Sequence, residues 1–231
     1  MQDSTQVITT AVTPTVQEPE IHVFSLWDVL FSGGIVGNSI MIAIFLLGIL
    51  ALYIFLERYF FIKRASKPTP NFLENIRDFI QDGKIQTAVD YCKSIDSPEA
   101  RMIEKGLARI GRPISDISNA MQNQGQLEVS KLEKNLNILA SAAGAAPMLG
   151  FLGTVVGMIM AFFEISNVTG AVSPKLLASG IYTAMATTAV GLFVGIPAYF
   201  FYNILVTNVD RLVLKIQTHV NEFLDTLNKP L

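Results

Sequence analysis

The sequence predicts an all-α membrane protein with three transmembrane helices, whose long helices extend into a helical cytoplasmic domain. Hydrophobic residues make up 51% of the 231 residues, and charged residues only 16%. Soluble domains of this size usually carry about 25% charged residues. The apolar excess lies in three long runs, and each is long enough to cross about 30 Å of hydrocarbon as a helix. These observations favour a polytopic membrane protein over a soluble one.

The N-terminal segment, 1–22, is rich in Thr, Val, Gln and Pro, and we expect it to be flexible. It contains no Lys or Arg and no apolar core, so it does not resemble a signal peptide. Phe24, Trp27 and Phe31 then recur at i, i+3 and i+7. This spacing predicts an interfacial amphipathic helix over 23–34, with a buried helix of a soluble domain as the alternative.

The first span is predicted over 35–62, because its central part, Ile40 to Leu56, carries no charge. Glu57 and Arg58 are interpreted as a solvated pair at the membrane edge. The polar stretch 63–137 predicts a domain of short helices. Its helix signals are three: Asn71 as an N-cap, Gly83 as a stop, and Ser97 followed by a first-turn proline. The single cysteine, Cys92, excludes an internal disulfide and is interpreted as a small core residue.

The remaining chain predicts two further spans, at 138–165 and 176–205, joined by a periplasmic loop over 166–175. A cytoplasmic helix over 206–231 follows the last span. Because no proline intervenes between Ile114 and Pro147, we predict one continuous helix from Ile114 to about Ile165. Small residues recur at spacings of three and four in both spans, which predicts two faces on which helix backbones approach closely. The predicted packing glycines are Gly150, Gly153, Gly157, Gly180, Gly191 and Gly195, and the prolines within the spans are Pro147 and Pro197.

The distribution of Lys and Arg predicts the orientation. Residues 1–34 contain none, and the 166–175 loop has only Lys175, whereas 63–135 contains twelve. We therefore expect a multi-pass membrane protein whose N-terminus lies outside and whose large middle domain and C-terminus lie in the cytoplasm.

Threonines provide the polar groups inside the second and third spans. No Asp, Glu, Lys, Arg or His lies between Ile138 and Phe163 or between Leu176 and Leu205. Counted from the outer ends of the spans, Thr154 and Thr188 fall at a similar depth of about 15–20 Å. We therefore predict a pore-lining proton pathway, against the alternative that each hydroxyl bonds the carbonyl four residues earlier. The pathway residues are Thr154, Thr183, Thr187 and Thr188.

The chain shows no catalytic motif. It has no GxSxG, no HExxH, no Gly-rich phosphate loop and no intramembrane aspartate pair, so no catalytic residue, metal ligand or cofactor is predicted. His22 and His219 are isolated in the sequence and lie outside the spans. The net charge of -2 gives no indication of nucleic-acid binding.

Four sequence segments resemble the MotA/TolQ/ExbB proton channel family, and within it the ExbB/TolQ branch. They are APMLGFLGTVVGM (146–158), GIYTAMATTAVGLFVGIPAYFFYN (180–203), LEKNLNILASAAGAAP (132–147) and LERYFFIKRA (56–65). The resemblance implies a homopentamer around a central pore that holds two copies of a single-span partner, ExbD-like or TolR-like, with an ionisable Asp. It also implies that proton flow drives motion, which passes to a TonB-like or TolA-like protein. The location that it implies is the bacterial inner membrane, with the N-terminus in the periplasm and the C-terminus in the cytoplasm.

The same resemblance implies that Thr154 and Thr188 line the pore. The sequence differs from that branch at one position, because Thr183 occupies the place of a glutamate early in the third span. Three functions remain open at this point. They are an ExbB-like subunit that powers outer-membrane transport, a TolQ-like subunit of a Tol–Pal-type envelope complex, and a non-conducting oligomeric membrane scaffold.

Overall fold

The computed structural model describes residues 34–67, 69–167 and 174–228. Within these ranges the chain forms helices and no strands, and three stretches are long and apolar enough to cross a membrane. The predicted all-α fold is therefore confirmed. The predicted N-terminal segment, nearly all of the interfacial helix and most of the 166–175 loop lie outside the described residues. The helices are α1 (Gly34–Ala65), α2 (Phe72–Gln81), α3 (Ile85–Ser94), α4 (Pro98–Leu107), α5 (Ile114–Leu132), α6 (Leu136–Ser166) and α7 (Pro174–Asn228).

The apolar parts of α1, α6 and α7 form a three-helix bundle. Helices α6 and α7 run antiparallel, and α1 packs beside them. In α1, Gly48 lies against Val194, and the ring of Phe55 stacks on Phe201 with centroids 4.1 Å apart. Because both members of these pairs advance in the same direction along the chain, α1 is parallel to α7. Large apolar side chains such as Phe193 stay exposed on the bundle surface, as expected for helices that face lipid or other subunits.

The second half of α7 connects the bundle to the helical domain formed by α2 to α5. Its buried side chains recur at spacings of three and four residues, so that they form one apolar stripe. They are Leu205, Val209, Leu212, Ile216, Val220 and Phe223. The prediction that the third span continues as a helix into the tail is confirmed, and α7 is one rod of 55 residues.

Several local signals in the helical domain act as the sequence predicts. Ser97 caps α4, since its hydroxyl accepts a hydrogen bond from the Ala100 N–H at 3.1 Å. Gly83 follows α2 with a φ of 70°, the left-handed conformation that favours glycine. Cys92 is a buried core residue, and burial, together with the charges of Glu104 and Glu99, raises the pKa of its thiol to about 12. Asn71 precedes α2, but its side chain makes no capping hydrogen bond.

The prediction of one continuous helix from Ile114 to Ile165 is wrong. Helix α5 ends at Leu132 and α6 begins at Leu136, with Asn135 between them at a φ of 65°. Asparagine is one of the few residues that adopt this left-handed conformation readily, because its short polar side chain can bond locally. The chain therefore turns without a glycine or proline. Pro147, in contrast, lies inside α6 and does not end it.

Candidate functional site

The antiparallel contact between α6 and α7 is centred on two glycines, Gly150 and Gly191. A Cβ atom on Gly191 would lie 2.7 Å from the carbonyl oxygen of Ala146 and 3.0 Å from the Cα of Gly150. A Cβ on Gly150 would lie 2.9 Å from the carbonyl oxygen of Thr187. These distances leave no room for a side chain, so the two backbones touch here. Dispersion between closely packed backbones is the main attraction available to helices in lipid.

The other predicted packing glycines extend this contact in both directions. The position of a Cβ on Gly153 would lie 2.7 Å from the Cβ of Thr187, and one on Gly157 would lie 2.9 Å from the Cβ of Ala184. At the two ends of the contact, Gly180 faces Ala161 and Gly195 faces Pro147. Both small-residue faces are therefore used within a single chain, against each other.

Three threonine hydroxyls meet at the centre of this interface. Thr188 Oγ1 donates to the Gly150 carbonyl oxygen at 2.9 Å, and it also contacts Thr154 Oγ1. Thr187 Oγ1 donates to the Ala184 carbonyl at 2.7 Å and lies 3.2 Å from the Gly150 carbonyl. The hydroxyl contact between Thr154 and Thr188 agrees with the prediction that these two residues lie at a similar depth.

The three hydroxyls differ in their accessibility. Thr187 is buried between the helices, with 3% of its surface exposed, whereas Thr154 and Thr188 are only partly buried. Thr154 and Thr188 therefore lie closer to the bundle surface than Thr187 does. Each hydroxyl carries one proton and two lone pairs and can rotate. The cluster can thus donate to or accept from a group that approaches Thr154 and Thr188.

Thr183 is not part of this cluster. Its hydroxyl donates to the Ser179 carbonyl, four residues earlier in α7, at 3.0 Å. Thr154 also lies 3.3 Å from the carbonyl four residues before it, that of Gly150. Thr183 therefore follows the alternative prediction, a hydrogen bond within its own helix. Thr154 lies near the carbonyl of Gly150 in its own helix and also near that of Ala184 in α7.

Both prolines lie within continuous helices. Because proline has no N–H, Pro147 leaves the carbonyl of Ala143, four residues earlier, without its usual helical donor. Gly195 of α7 lies against this position, and a Cβ there would be 3.1 Å from the Ala143 oxygen and 2.5 Å from the Pro147 Cγ. The close approach of α7 therefore covers the interrupted turn. Pro197 lies inside α7, which continues beyond it to Asn228.

A second set of polar contacts lies in the helical domain and is not predicted from the sequence. Glu128 of α5 is buried, and its two oxygens accept from Arg101 at 2.7 Å and from Lys131 at 2.8 Å. Burial raises the pKa of Glu128, but the hydrogen bonds and charges of Arg101 and Lys131 outweigh burial and hold the pKa below its usual range. One sequence feature could have predicted that Glu128 is buried: it lies on the apolar stripe of α5, between Met121 and Leu132.

The interpretation of Arg58 as a solvated residue is wrong, since only 5% of its surface is exposed. Its guanidinium donates to Glu57 at 2.7 Å and to the Lys131 carbonyl at 3.2 Å, which connects α1 to the α5 end of the domain. His219, which is isolated in the sequence, has a partner in the fold: its Nδ1 lies 2.6 Å from Glu99 Oε1. The Arg58–Lys131 and His219–Glu99 contacts join residues far apart in sequence.

Comparison with known proteins shows which family has this architecture. A sequence profile of the MotA/TolQ/ExbB proton channel family matches residues 94–218, more than half of the chain. The chain belongs to this family. The matched range contains the threonine cluster, the glycine interface and Glu128. The family is one of proton channels and not of enzymes.

Individual relatives of the proton channel family carry two different names. The biopolymer transport protein ExbB of Aquifex aeolicus is 39% identical over 108 residues, which is 46% of this chain and 72% of that protein. The Tol-Pal system protein TolQ of Pseudomonas aeruginosa is 24% identical over 216 residues, 89% of this chain and 93% of that protein. The flagellar MotAB stator complex of Bacillus subtilis shares the fold, with a TM-score of 0.54 at 18% identity over 88% of this chain and 77% of that one.

Proposed function

We propose that this chain is the channel subunit of an inner-membrane complex that uses the proton motive force to power transport across the outer membrane, as an ExbB-like protein. The observation that carries the proposal is the cluster of Thr154, Thr187 and Thr188 hydroxyls between two spans. Over Ile138 to Phe163 and Leu176 to Leu205 these spans contain no Asp, Glu, Lys, Arg or His. Membership in the proton channel family supports it.

The composition of the spans indicates what a partner must supply. Hydroxyls can orient water and share hydrogen bonds, but they do not bind and release a proton near neutral pH. The titrating group at depth must then come from another chain, and in this proposal it is an Asp on an ExbD-like or TolR-like single-span subunit. Five copies of this chain would surround two copies of that partner, and the motion would pass to a TonB-like or TolA-like protein.

The partner aspartate and the threonines have complementary chemistry. Desolvation raises the pKa of a carboxylate in the bilayer, so that it can hold a proton at mid-membrane. Once deprotonated, it needs hydrogen-bond donors, and the hydroxyls of the partly buried Thr154 and Thr188 can provide them by rotating away from the Gly150 carbonyl. Thr183 would contribute less, because it lies outside the threonine cluster and nearer the outer end of α7.

The test replaces both Thr154 and Thr188 with Val, which preserves shape and removes the donors. We expect the complex to assemble at normal levels while partner-dependent transport is lost. Thr207→Val is the matched control, since Thr207 lies further along α7 and donates to the Asn203 carbonyl four residues earlier at 2.8 Å. Full transport by the Thr154/Thr188 variant in cells with normal complex levels would show that the proton runs elsewhere.

A TolQ-like role is the second candidate, because the TolQ relative from Pseudomonas aeruginosa matches over most of both chains. Expression of the chain in strains that lack either ExbB or TolQ separates the two roles. Restored uptake across the outer membrane supports the first, and restored envelope integrity supports the second. The third candidate is a non-conducting oligomeric membrane scaffold. It has less support, because the small-residue faces that it was expected to use between chains pack against each other within one chain.

A further inference from the structure

A cleft lies between α1 and α7 at the point where both helices leave their apolar stretches. It has a volume of about 500 Å³. On α1 the charge-free run has just ended, and on α7 the first Asp, Glu, Lys, Arg or His after Lys175 is Asp210. The helical domain lies on the same side as the cleft. In a membrane, this position corresponds to the level of the lipid headgroups.

Four cationic side chains line this cleft: Lys63 of α1, Lys67 just after the end of α1, and Arg211 and Lys215 of α7. We refer to it as the basic cleft. All four are exposed. Among the described residues, none of the four has a carboxylate within ion-pair distance. Glu57, which precedes Lys63 in α1, is already bonded to Arg58 at 2.7 Å. The basic cleft therefore concentrates uncompensated positive charge in a chain whose net charge is -2.

The arrangement is unfavourable for the protein alone. Arg211 and Lys215 are four residues apart on α7, and like charges at this helical spacing repel each other. Lys63 and Lys67 add two further positive charges to the same cleft. Lys63 lies in the last turn of α1, where a cation is stabilised by the helix dipole. Arg211 and Lys215 gain no such stabilisation, because α7 continues to Asn228. An anionic ligand would remove the repulsion.

The lining of the basic cleft fits an amphipathic ligand. Ile62 and Leu212 are buried and line it with apolar surface, while Tyr59 and Asn208 add a hydroxyl and an amide. The ammonium group of Lys63 lies 5.8 Å from the centre of the Tyr59 ring. Basic pockets between membrane helices, with polar donors at headgroup level, are sites at which anionic lipids bind.

We propose that the basic cleft is a binding site for the phosphate headgroup of an anionic phospholipid. The phosphate would contact the four cations, and the acyl chains would extend along the apolar surfaces of α1 and α7. This inference rests on insertion of the chain in a membrane. It is independent of whether the chain conducts protons.

The test uses the full chain, purified as its oligomer in detergent and titrated with phosphatidylglycerol or phosphatidylcholine under native mass spectrometry. The cleft variant is Lys67→Gln/Arg211→Gln/Lys215→Gln. The control variant, Lys105→Gln/Arg112→Gln/Lys134→Gln, removes the same charge from exposed positions of the helical domain. We expect phosphatidylglycerol to bind the cleft variant at least about tenfold more weakly than it binds the control variant and the wild type. Phosphatidylcholine should bind all three weakly and equally.

Three results would overturn the proposal. The cleft variant could retain phosphatidylglycerol as well as the control variant does. Glycerol phosphate could compete as effectively as the lipid, which would indicate a site for a soluble anion. The cleft variant could lose an acidic protein partner while it keeps the lipid. Equal melting temperatures of the variants check the fold, and the milder pair Lys67→Gln/Lys215→Gln replaces the triple variant if it unfolds.

Discussion

Glu128 shows how burial and ion pairing oppose each other at a single carboxylate. Burial in the helical domain disfavours its charged form, yet the hydrogen bonds and charges of Arg101 and Lys131 lower its pKa. A carboxylate whose pKa is lower in the folded state stabilises that state above its unfolded pKa. The stabilisation is then lost as the pH falls from that value towards the folded pKa.

We therefore predict that Glu128→Gln lowers the free energy of unfolding by about 1–3 kcal/mol at pH 7, because Arg101 loses a charged partner. The difference from the wild type should shrink as the pH falls below about 4.3, the unperturbed pKa of glutamate. Thermal unfolding of the detergent-solubilised protein at several pH values measures the loss of stability at pH 7 and its decrease at low pH. Glu133→Gln, at an exposed neighbouring position without an ion pair among the described residues, is the control. Equal stability of the two variants at pH 7 would contradict the prediction.

The threonines show how far the positions of single residues can be predicted from the sequence. Counting residues from the span ends was enough to predict that Thr154 and Thr188 lie at a similar depth. It did not predict that Thr187 is buried or that three hydroxyls lie near one carbonyl, that of Gly150. Those features depend on how far α6 and α7 are rotated toward each other.

At the scale of elements, the hairpin of α6 and α7 depends on glycines that leave no space for a side chain. We predict that Gly191→Leu disrupts this hairpin, because the new side chain would overlap the backbone at Ala146 and Gly150. Overpacking of this kind typically costs about 1–3 kcal/mol, and more where backbone must move. The yield of folded oligomer after purification is the measurement.

Gly144→Leu is the matched control for this prediction. Gly144 also lies in α6, but nothing lies within 4 Å of the position that its Cβ would occupy. We expect its oligomer yield to stay close to the wild-type value, while both variants insert into the membrane. A normal yield of folded Gly191→Leu would show that the close contact does not determine the stability of the hairpin.

At the scale of the whole molecule, the distribution of basic residues predicts a periplasmic N-terminus and a cytoplasmic helical domain. In a Cys92→Ala background, a cysteine at position 17 should react with a membrane-impermeant thiol reagent in intact spheroplasts. A cysteine at position 122, which is exposed on α5, should react only after the cells are lysed. The reverse labelling pattern would show that the predicted topology is wrong.

Cys92 would add little background labelling even if it were retained. The thiol is buried in the helical domain, and its raised pKa keeps it protonated near neutral pH. A protonated, buried thiol reacts slowly, because the thiolate is the nucleophile. Labelling therefore reports on the introduced cysteines.

The sequence by itself determined the helical class, the three spans and the small-residue faces. These properties follow from hydrophobic period, run length and residue size, which are local and need no knowledge of the neighbours. The capping by Ser97 and the turn at Gly83 were predicted for the same reason. The turn at Asn135 was missed, because asparagine only permits a left-handed conformation and does not require it.

Only the tertiary structure decided which of these local features meet. It brought Glu128 of α5 to Arg101 of α4, His219 of α7 to Glu99 of α4, and Arg58 of α1 to the carbonyl of Lys131. It also placed both small-residue faces against each other within one chain, and joined two pairs of cations into the basic cleft. Such contacts depend on the relative rotation and axial position of packed helices, which residue spacing along each helix leaves undetermined.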